Sequence, residues 1–444
     1  MDKHNKFISN LSFLWNITFI FFSEFIYYLY TKNYSQFILS FSQQLSRENI
    51  LYVKMFQALA LNKSLIDDEL NNYLLKFTDN APYSDKDIDY ETLEKIKIEY
   101  SLFFENGYIP INSGMISLIF KCHFLDDKEI HHEKILKIKR KNIEETLEKA
   151  IDNILFLVKI IEFISYYFLF FLTFDLKSII GNNINIIKNQ TDFIKEVENT
   201  NSMKNVCKNL KYVVIPSVYS EITNKYSNVI LMDFINGKTI RDIDEKDYET
   251  FSKIVLKFGI VTFLVYGKTH GDFHAGNILF IKENNIDPTK DKYKIGVIDF
   301  GIIYELDEKI KNNFMEIFIE MFHIPPYETS RRILNCGILE PIEIIQNLPK
   351  HHYENIVKIL EEIITNILGE SKEINQSKMY LFFKKMNNYF QESDLKSLGI
   401  KPCDTFVKLQ LVLAMSHGVT LSLCKGNYVD LFNNVMNELF HIDI

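Results

Sequence analysis

The sequence predicts an α+β fold built as two lobes, and three observations carry that expectation. Residues 101–140 and 212–234 hold short apolar or alternating runs bounded by turn residues, the pattern of strands. A helical stretch separates those two regions, and the chain after Gly237 is chiefly helical. Around residues 270–302 a loop, an apolar run, a polar turn and a second apolar run interrupt the helices. Strands gathered ahead of helices favour a segregated α+β arrangement over the regular alternation of a parallel sheet. The expected organisation is a helical N-terminal extension over residues 1–100, a small lobe over 101–235 with a helical insertion at about 142–188, and a helical large lobe over 236–444.

Taken in order, the elements read as follows. From Ser46 to Phe77 apolar positions recur at three- and four-residue steps, and Asn80-Ala81-Pro82 breaks the pattern. Tyr108-Ile109-Pro110 and Ile116 to Phe120 read as extended, and Glu133 to Lys139 ends in the alternation of a strand. Helical spacing returns over 142–178 and again at Thr191 to Asn205. Strand-like runs follow at Tyr212 to Tyr219 and Asn228 to Phe234, then at Ile278 to Ile281 and Ile295 to Ile298.

Two segments invite a membrane reading. Phe7 to Ser23 is uncharged for 17 residues, at the lower edge of what spans a bilayer, where ~20 is usual. Asn10 and Asn16 weaken a span, so the expectation is a packed or interfacial helix, with a membrane anchor as the alternative and a cleaved signal behind it. Phe163 to Phe174 would reach only about 18 Å as a helix, short of a ~30 Å hydrocarbon core.

With 444 residues, 47% of them hydrophobic, the chain can bury more than one core. The formal charge of −8, with no long Lys/Arg stripe, argues against nucleic acid as a partner. Five scattered cysteines without a Cys-x-x-Cys pair point to a reducing, intracellular compartment rather than a disulfide framework or zinc site. The paired histidines His131-His132 and His351-His352 stand in polar stretches and read as solvated.

The chemistry concentrates in His270-Gly271-Asp272-Phe273-His274-Ala275-Gly276-Asn277. Kinase catalytic loops need an Asp near the phosphate acceptor and, five residues on, an Asn for Mg²⁺. Asp272 and Asn277 have that spacing. Asp299-Phe300-Gly301 follows 22 residues after Asn277, directly behind the apolar run Ile295 to Ile298. A strand that delivers D-F-G presents a carboxylate to Mg²⁺ on nucleotide phosphates, so Asn277 and Asp299 are the candidate metal ligands. Lys137 occupies the place of the strand lysine that contacts phosphates, with Lys139 as the neighbouring alternative. Glu196 is its candidate partner and Glu198 the alternative. Leu231 to Gly237, with Met232 and Phe234, has the position of a hinge whose backbone would bond adenine. No G-x-G-x-x-G precedes Lys137 and no A-P-E follows Gly301, so an ordinary protein kinase does not fit.

On these motifs the sequence resembles the UbiB-type atypical kinases, also called the ADCK family. Lys54-Met55-Phe56-Gln57 resembles that family's K-x-G-Q signature, and Pro110 to Ser117 aligns with its alanine-rich nucleotide loop, with Gly114 inside it. Asp192 to Asn199 matches the helix that carries the lysine's partner. The resemblance covers about residues 45–435. It implies a protein-kinase-like bilobal fold, ATP and Mg²⁺ as ligands, and Lys54 and Gln57 as part of a lid over the site. It also implies a role in isoprenoid-lipid or quinone metabolism at a membrane surface. Three departures stand out: Phe56 for the signature glycine, Asn112-Ser113-Gly114 in the loop, and Gln190 in place of an acidic residue. Two competing readings are a small-molecule phosphotransferase of the aminoglycoside or choline-kinase type and a non-catalytic pseudokinase scaffold.

Overall fold

The computed structural model describes residues 3–52, 81–125, 131–167, 184, 187–287, 291–320, 324–337, 339–368, 401–403 and 416–440. The chain divides into two compact units: residues 1–198 with 217–234, and residues 199–216 with 235–444. The expectations for 53–80, including the Lys54–Gln57 segment, and for 168–178 fall outside the described residues.

In the first unit α1 (Lys3–Thr31) and α2 (Tyr34–Glu48) pack against each other. Asn33 makes the break between them; its side chain accepts from the Gln36 N–H and caps α2. The described face of α1 toward its neighbours is tied by polar groups. Asn16 donates to Glu48 at 3.0 Å, Gln44 donates to Glu24, and Lys6 pairs with Asp152 at 2.5 Å. Its outer face is apolar: Ile8, Leu11, Trp15, Phe19, Phe22 and Ile26, three or four residues apart, are 45–73% exposed. α1 is long and apolar enough to cross a membrane by length and composition.

The sheet of this unit runs β1 (Leu102–Phe103), β3 (Ser117–Leu125), β4 (His131–Lys139), β6 (Val229–Asp233), with β2 (Asn112–Ser113) also on β3; all pairs are antiparallel. Alternation along β4 sends side chains to two different cores. Leu136 and Ile138 join Leu118, Phe120 and the α3 residues Leu93 and Ile96 (α3, Tyr90–Glu99). Ile135, Ile230 and Met232 face a second cluster with Leu147, Ile151 and Ile154 of α4 (Ile143–Tyr167) and Phe193 and Val197 of α5 (Phe193–Val206). At its middle β4 is covered on both faces, which sets the terms for Lys137.

Two expectations are corrected here. Tyr108-Ile109-Pro110 is turn and irregular chain, with Gly107 at φ +60°. Of Tyr212 to Tyr219 only β5 (Val213–Val214) is strand. Pro216 lacks the N–H needed to continue a ladder, and a short helix, α6 (Ser220–Lys225), follows.

The second unit is built on α7 (Tyr248–Ile260), whose Phe251, Val255 and Phe258 pack with Phe273, Phe280, Ile295 and Phe300. α7 widens into a π-helical turn, Val261–Val265, just before β7 (Lys268–His270). β8 (Ile278–Glu283) and β9 (Lys292–Val297) form a hairpin, with β5 added parallel to β9. β10 (Ile303–Glu305) pairs with β7. Asp247 braces the hairpin, accepting from Lys282 at 2.9 Å and from Tyr293 at 2.8 Å. Helices α8 (Glu308–Glu320), α9 (Pro326–Asn335), α10 (Ile342–Gln346) and α11 (Lys350–Leu368) follow, with β11 (Leu339–Glu340) and β12 (Lys401–Pro402) as a small ladder. α12 (Tyr428–Phe440) packs Leu431, Val435 and Met436 against Leu256 and Ile260 of α7.

His417, on the helix at 416–423, is half-buried with its ring 4.2 Å from that of Tyr428. Burial pushes its pKa down to about 4. Its unfolded value is ~6.5, so in between the unfolded chain binds the extra proton. Stability is therefore complete above the unfolded pKa and falls as pH drops, by about 1.4 kcal/mol per pH unit until the folded pKa is reached. Urea unfolding at pH 7 and pH 5 should show this loss in the wild type and a smaller one in His417→Phe; equal losses would show that His417 does not supply it.

Candidate active site

In the first unit Lys137 sits mid-strand in β4, with Ile119 and Ile230 as cross-strand neighbours. Its side chain is 9% exposed, and its ammonium lies 2.6 Å from Glu196 Oε1, itself on a side chain 3% exposed. The Phe193 ring centroid is 5.4 Å from the same nitrogen. Asp192 sets this geometry. Its carbonyl accepts from the Glu196 N–H at 3.0 Å and its carboxylate from the Lys195 N–H at 3.0 Å, capping α5. Phe193 and Glu196, three residues apart, then share one face. The alternatives have other partners: Lys139 donates to Glu144 at 2.8 Å, and Glu198 pairs with Lys195 at 3.3 Å.

Gly114 lies in the turn between β2 and β3, its N–H donating to Ser117 O at 2.8 Å. A Cβ there would meet Ser117 O at 3.5 Å, an ordinary contact, so the surrounding protein does not itself demand glycine. Met232 is buried opposite Ile135. The Phe234 N–H donates to Glu133 O at 3.3 Å, so this expected adenine donor is engaged within the sheet. Beside it Asp233 accepts from Lys134 at 2.7 Å, and Lys134 also reaches Tyr219 OH at 2.5 Å. Burial alone would raise the Asp233 carboxyl; the bonds from Lys134 and Ser217 outweigh it and hold the pKa below the usual range.

In the second unit Asp272 and Asn277 sit on one tightly tied loop. The Asp272 N–H donates to His270 Nδ1 at 3.0 Å, and Asn277 Nδ2 donates back to Asp272 O at 2.9 Å. The loop is joined to the end of β9 by Ile298 N–H to Asn277 O at 3.2 Å. His270 is buried, with ring centroids of Phe300 and Phe273 at 5.1 and 5.6 Å. Burial lowers its pKa and keeps the imidazole neutral. Gly271 is required sterically: a Cβ would lie 2.3 Å from Ile302 Cγ2 and 3.0 Å from the Tyr304 ring. Asp299 Oδ1 accepts from the Gly301 N–H at 3.0 Å, and Asn199 donates to Phe300 O at 2.9 Å. Only residues 302–307, including β10, separate Gly301 from α8.

The residues suit Mg²⁺. An ionised carboxylate has two acceptor oxygens, the hard donor type that Mg²⁺ takes. An amide whose nitrogen is tied to Asp272 O has its oxygen oriented away as a second ligand atom. Mg²⁺ takes few protein ligands and fills its octahedron with phosphate oxygens and water. No cluster of three or more His, Cys, Asp or Glu arranged for a metal occurs among the described residues.

The fold and these two sets of residues define a kinase-like protein. A family model described as the ABC1 atypical kinase-like domain matches residues 78–325. The chain belongs to the ABC1 atypical kinase-like family. It is 26% identical over 367 residues to the probable serine/threonine-protein kinase abkB of Dictyostelium discoideum, covering 77% of this chain and 51% of that protein. It is 24% identical over 334 residues to the probable protein kinase UbiB of Shewanella baltica, covering 71% and 56%. The chain thus spans about half the length of these curated relatives. Among solved structures, the Rv3197–erythromycin complex of Mycobacterium tuberculosis aligns with a TM-score of 0.47 at 15% identity, covering 86% of this chain and 90% of that one.

Arg140 and Asn199 were not read from the sequence as site neighbours. Arg140 stands three residues after Lys137, just past the end of β4, and its partners are backbone carbonyls, which no residue type in the sequence marks.

Removing one member of a buried ion pair strands the other. Lys137→Met should therefore lose about 3 kcal/mol or more of unfolding free energy, and Lys137→Met/Glu196→Leu should recover much of it. A double variant no more stable than the single one in urea titrations would show that the pair is not coupled.

Proposed function

We propose that this protein is an atypical kinase or ATPase that binds Mg·ATP and supports isoprenoid-lipid or quinone metabolism at a membrane surface. The observation that carries the reading is the buried Lys137–Glu196 pair. A buried ion pair is weak as a stabilising device, which favours a role for the Lys137 cation toward a charged ligand. Family membership supports the class, and each unit contributes residues arranged by its own internal bonds.

In this reading Lys137 contacts the phosphates, with Glu196 fixing its position. Asn277 and Asp299 would hold Mg²⁺, whose charge would offset that of the nucleotide phosphates. Asp272 orients the attacking hydroxyl or water, and Gly114 lets backbone N–H groups approach phosphate. Met232 and Phe234 border the adenine. Lys54 and Gln57 complete the site as a lid. The short connection from Gly301 to α8 favours water or a small acceptor over a peptide, which needs a docking segment there. The exposed apolar face of α1 supports the membrane setting.

The test is a thermal-shift titration with ATP, with and without Mg²⁺. Ligand that binds only the folded state raises stability by mass action. The wild type should shift with Mg·ATP and Asp299→Asn should not. No shift in the wild type overturns the nucleotide reading; an unchanged shift in Asp299→Asn overturns the metal assignment.

A further inference from the structure

We propose that Arg140 is a positioning residue that locks the phosphate-facing turn at Gly114 to the Ala81-Pro82 segment and so fixes the orientation of the turn. The inference rests on the nucleotide reading above and adds to it the device that orients the turn.

Arg140 directly follows β4 and is 4% exposed. Its guanidinium donates to three carbonyls on two segments. Nε and Nη2 reach Gly114 O at 3.1 and 2.8 Å; Nη1 reaches Pro82 O at 2.8 Å; Nη2 reaches Ala81 O at 3.4 Å. The nearest carboxylate, Asp87, is 3.6 Å away. Further bonds tie the same junction. The Ala81 N–H donates to Ser113 O at 2.7 Å, Ser113 Oγ to Ala81 O at 2.5 Å, and the Arg140 N–H to Ile116 O at 2.9 Å.

A buried cation hydrogen-bonded mainly to backbone carbonyls, with a carboxylate only at 3.6 Å, is expensive as a way to hold a loop. What it achieves is directional. The peptide unit is planar and trans, so a carbonyl and the following N–H point opposite ways. Two guanidinium bonds on Gly114 O fix that plane and aim the Met115 N–H away from Arg140. Fixed backbone N–H groups in a turn are the usual cradle for phosphate oxygens. The same guanidinium holds Ala81 and Pro82, so the turn and this segment are fixed together by Arg140 as well as by the Ser113 bonds. Lysine keeps the charge but not the planar fork and cannot bridge the three carbonyls in this geometry.

The experiment compares full-length wild type with Arg140→Lys. In the absence of ligand, hydrogen exchange of amides in 111–118 should quicken by about tenfold in the variant, with amides in α7 unchanged. The Mg·ATP dissociation constant should rise by about tenfold, while that for adenosine, which has no phosphate, stays within about twofold. Unchanged exchange overturns the clamp. Equal weakening of adenosine and Mg·ATP, or unchanged Mg·ATP affinity, overturns the positioning role. A wild type that exchanges as expected but binds no Mg·ATP overturns the nucleotide reading, and with it the phosphate half of this inference. If Arg140→Lys does not fold, Ser113→Ala removes a single bond of the same junction. It should move both readouts in the same directions by a smaller factor, and no movement overturns the clamp.

Discussion

The first unit depends on one electrostatic constraint: a lysine ammonium buried on the inner strand of a sheet that is covered on both faces. Lys137 cannot reach water from β4, because Leu136 and Ile138 face one core and Ile135 the other. Its charge is acceptable only with a carboxylate in contact, and Glu196 is the group supplied. That requirement sets how α5 lies against the strand. Asp192 caps the helix at the one place that brings Phe193 and Glu196 together over the ammonium. The neighbouring charges, Lys139 with Glu144 and Lys195 with Glu198, are exposed pairs of small energetic weight.

The second unit solves a different problem, holding a loop of polar groups in fixed directions. It does so with apolar packing beneath and backbone bonds above. Phe258, Phe273, Phe300 and the neutral His270 form the floor. Asp272 and Asn277 are then tied to each other and to the end of β9 by bonds that involve main-chain atoms. Gly271 marks how closely the loop crosses the chain after D-F-G: no side chain fits between it and Ile302.

α1 inverts the usual relation between polarity and burial. Its polar residues turn inward to Glu48, Gln44 and Asp152, while Trp15, Phe19 and Ile26 are exposed. A helix of this kind is unsuited to water on its outer side. The ties along its inner face are distributed from Lys6 to Glu24, so the helix is held to α2 and α4 over most of its length.

The sequence by itself determined the α+β class, the family, and the identity of the candidate chemical groups. Each of these rests on local order: strand alternation, the spacing from Asp272 to Asn277, and the apolar run ahead of Asp299. Short strands were harder, because Pro216 and the turn at Gly107 end elements that hydropathy alone would continue. Choosing between Lys137 and Lys139, or Glu196 and Glu198, needed the tertiary structure. Residues two apart share a strand face, and only the cap at Asp192 decides which carboxylate arrives. Arg140 shows the same limit more sharply. Its partners are carbonyls of Ala81, Pro82 and Gly114, and a backbone carbonyl carries no residue type to read. Which charges meet, and what a buried guanidinium holds, are decided by contacts between segments 26 to 59 residues apart, and those distances exist only once the chain has folded.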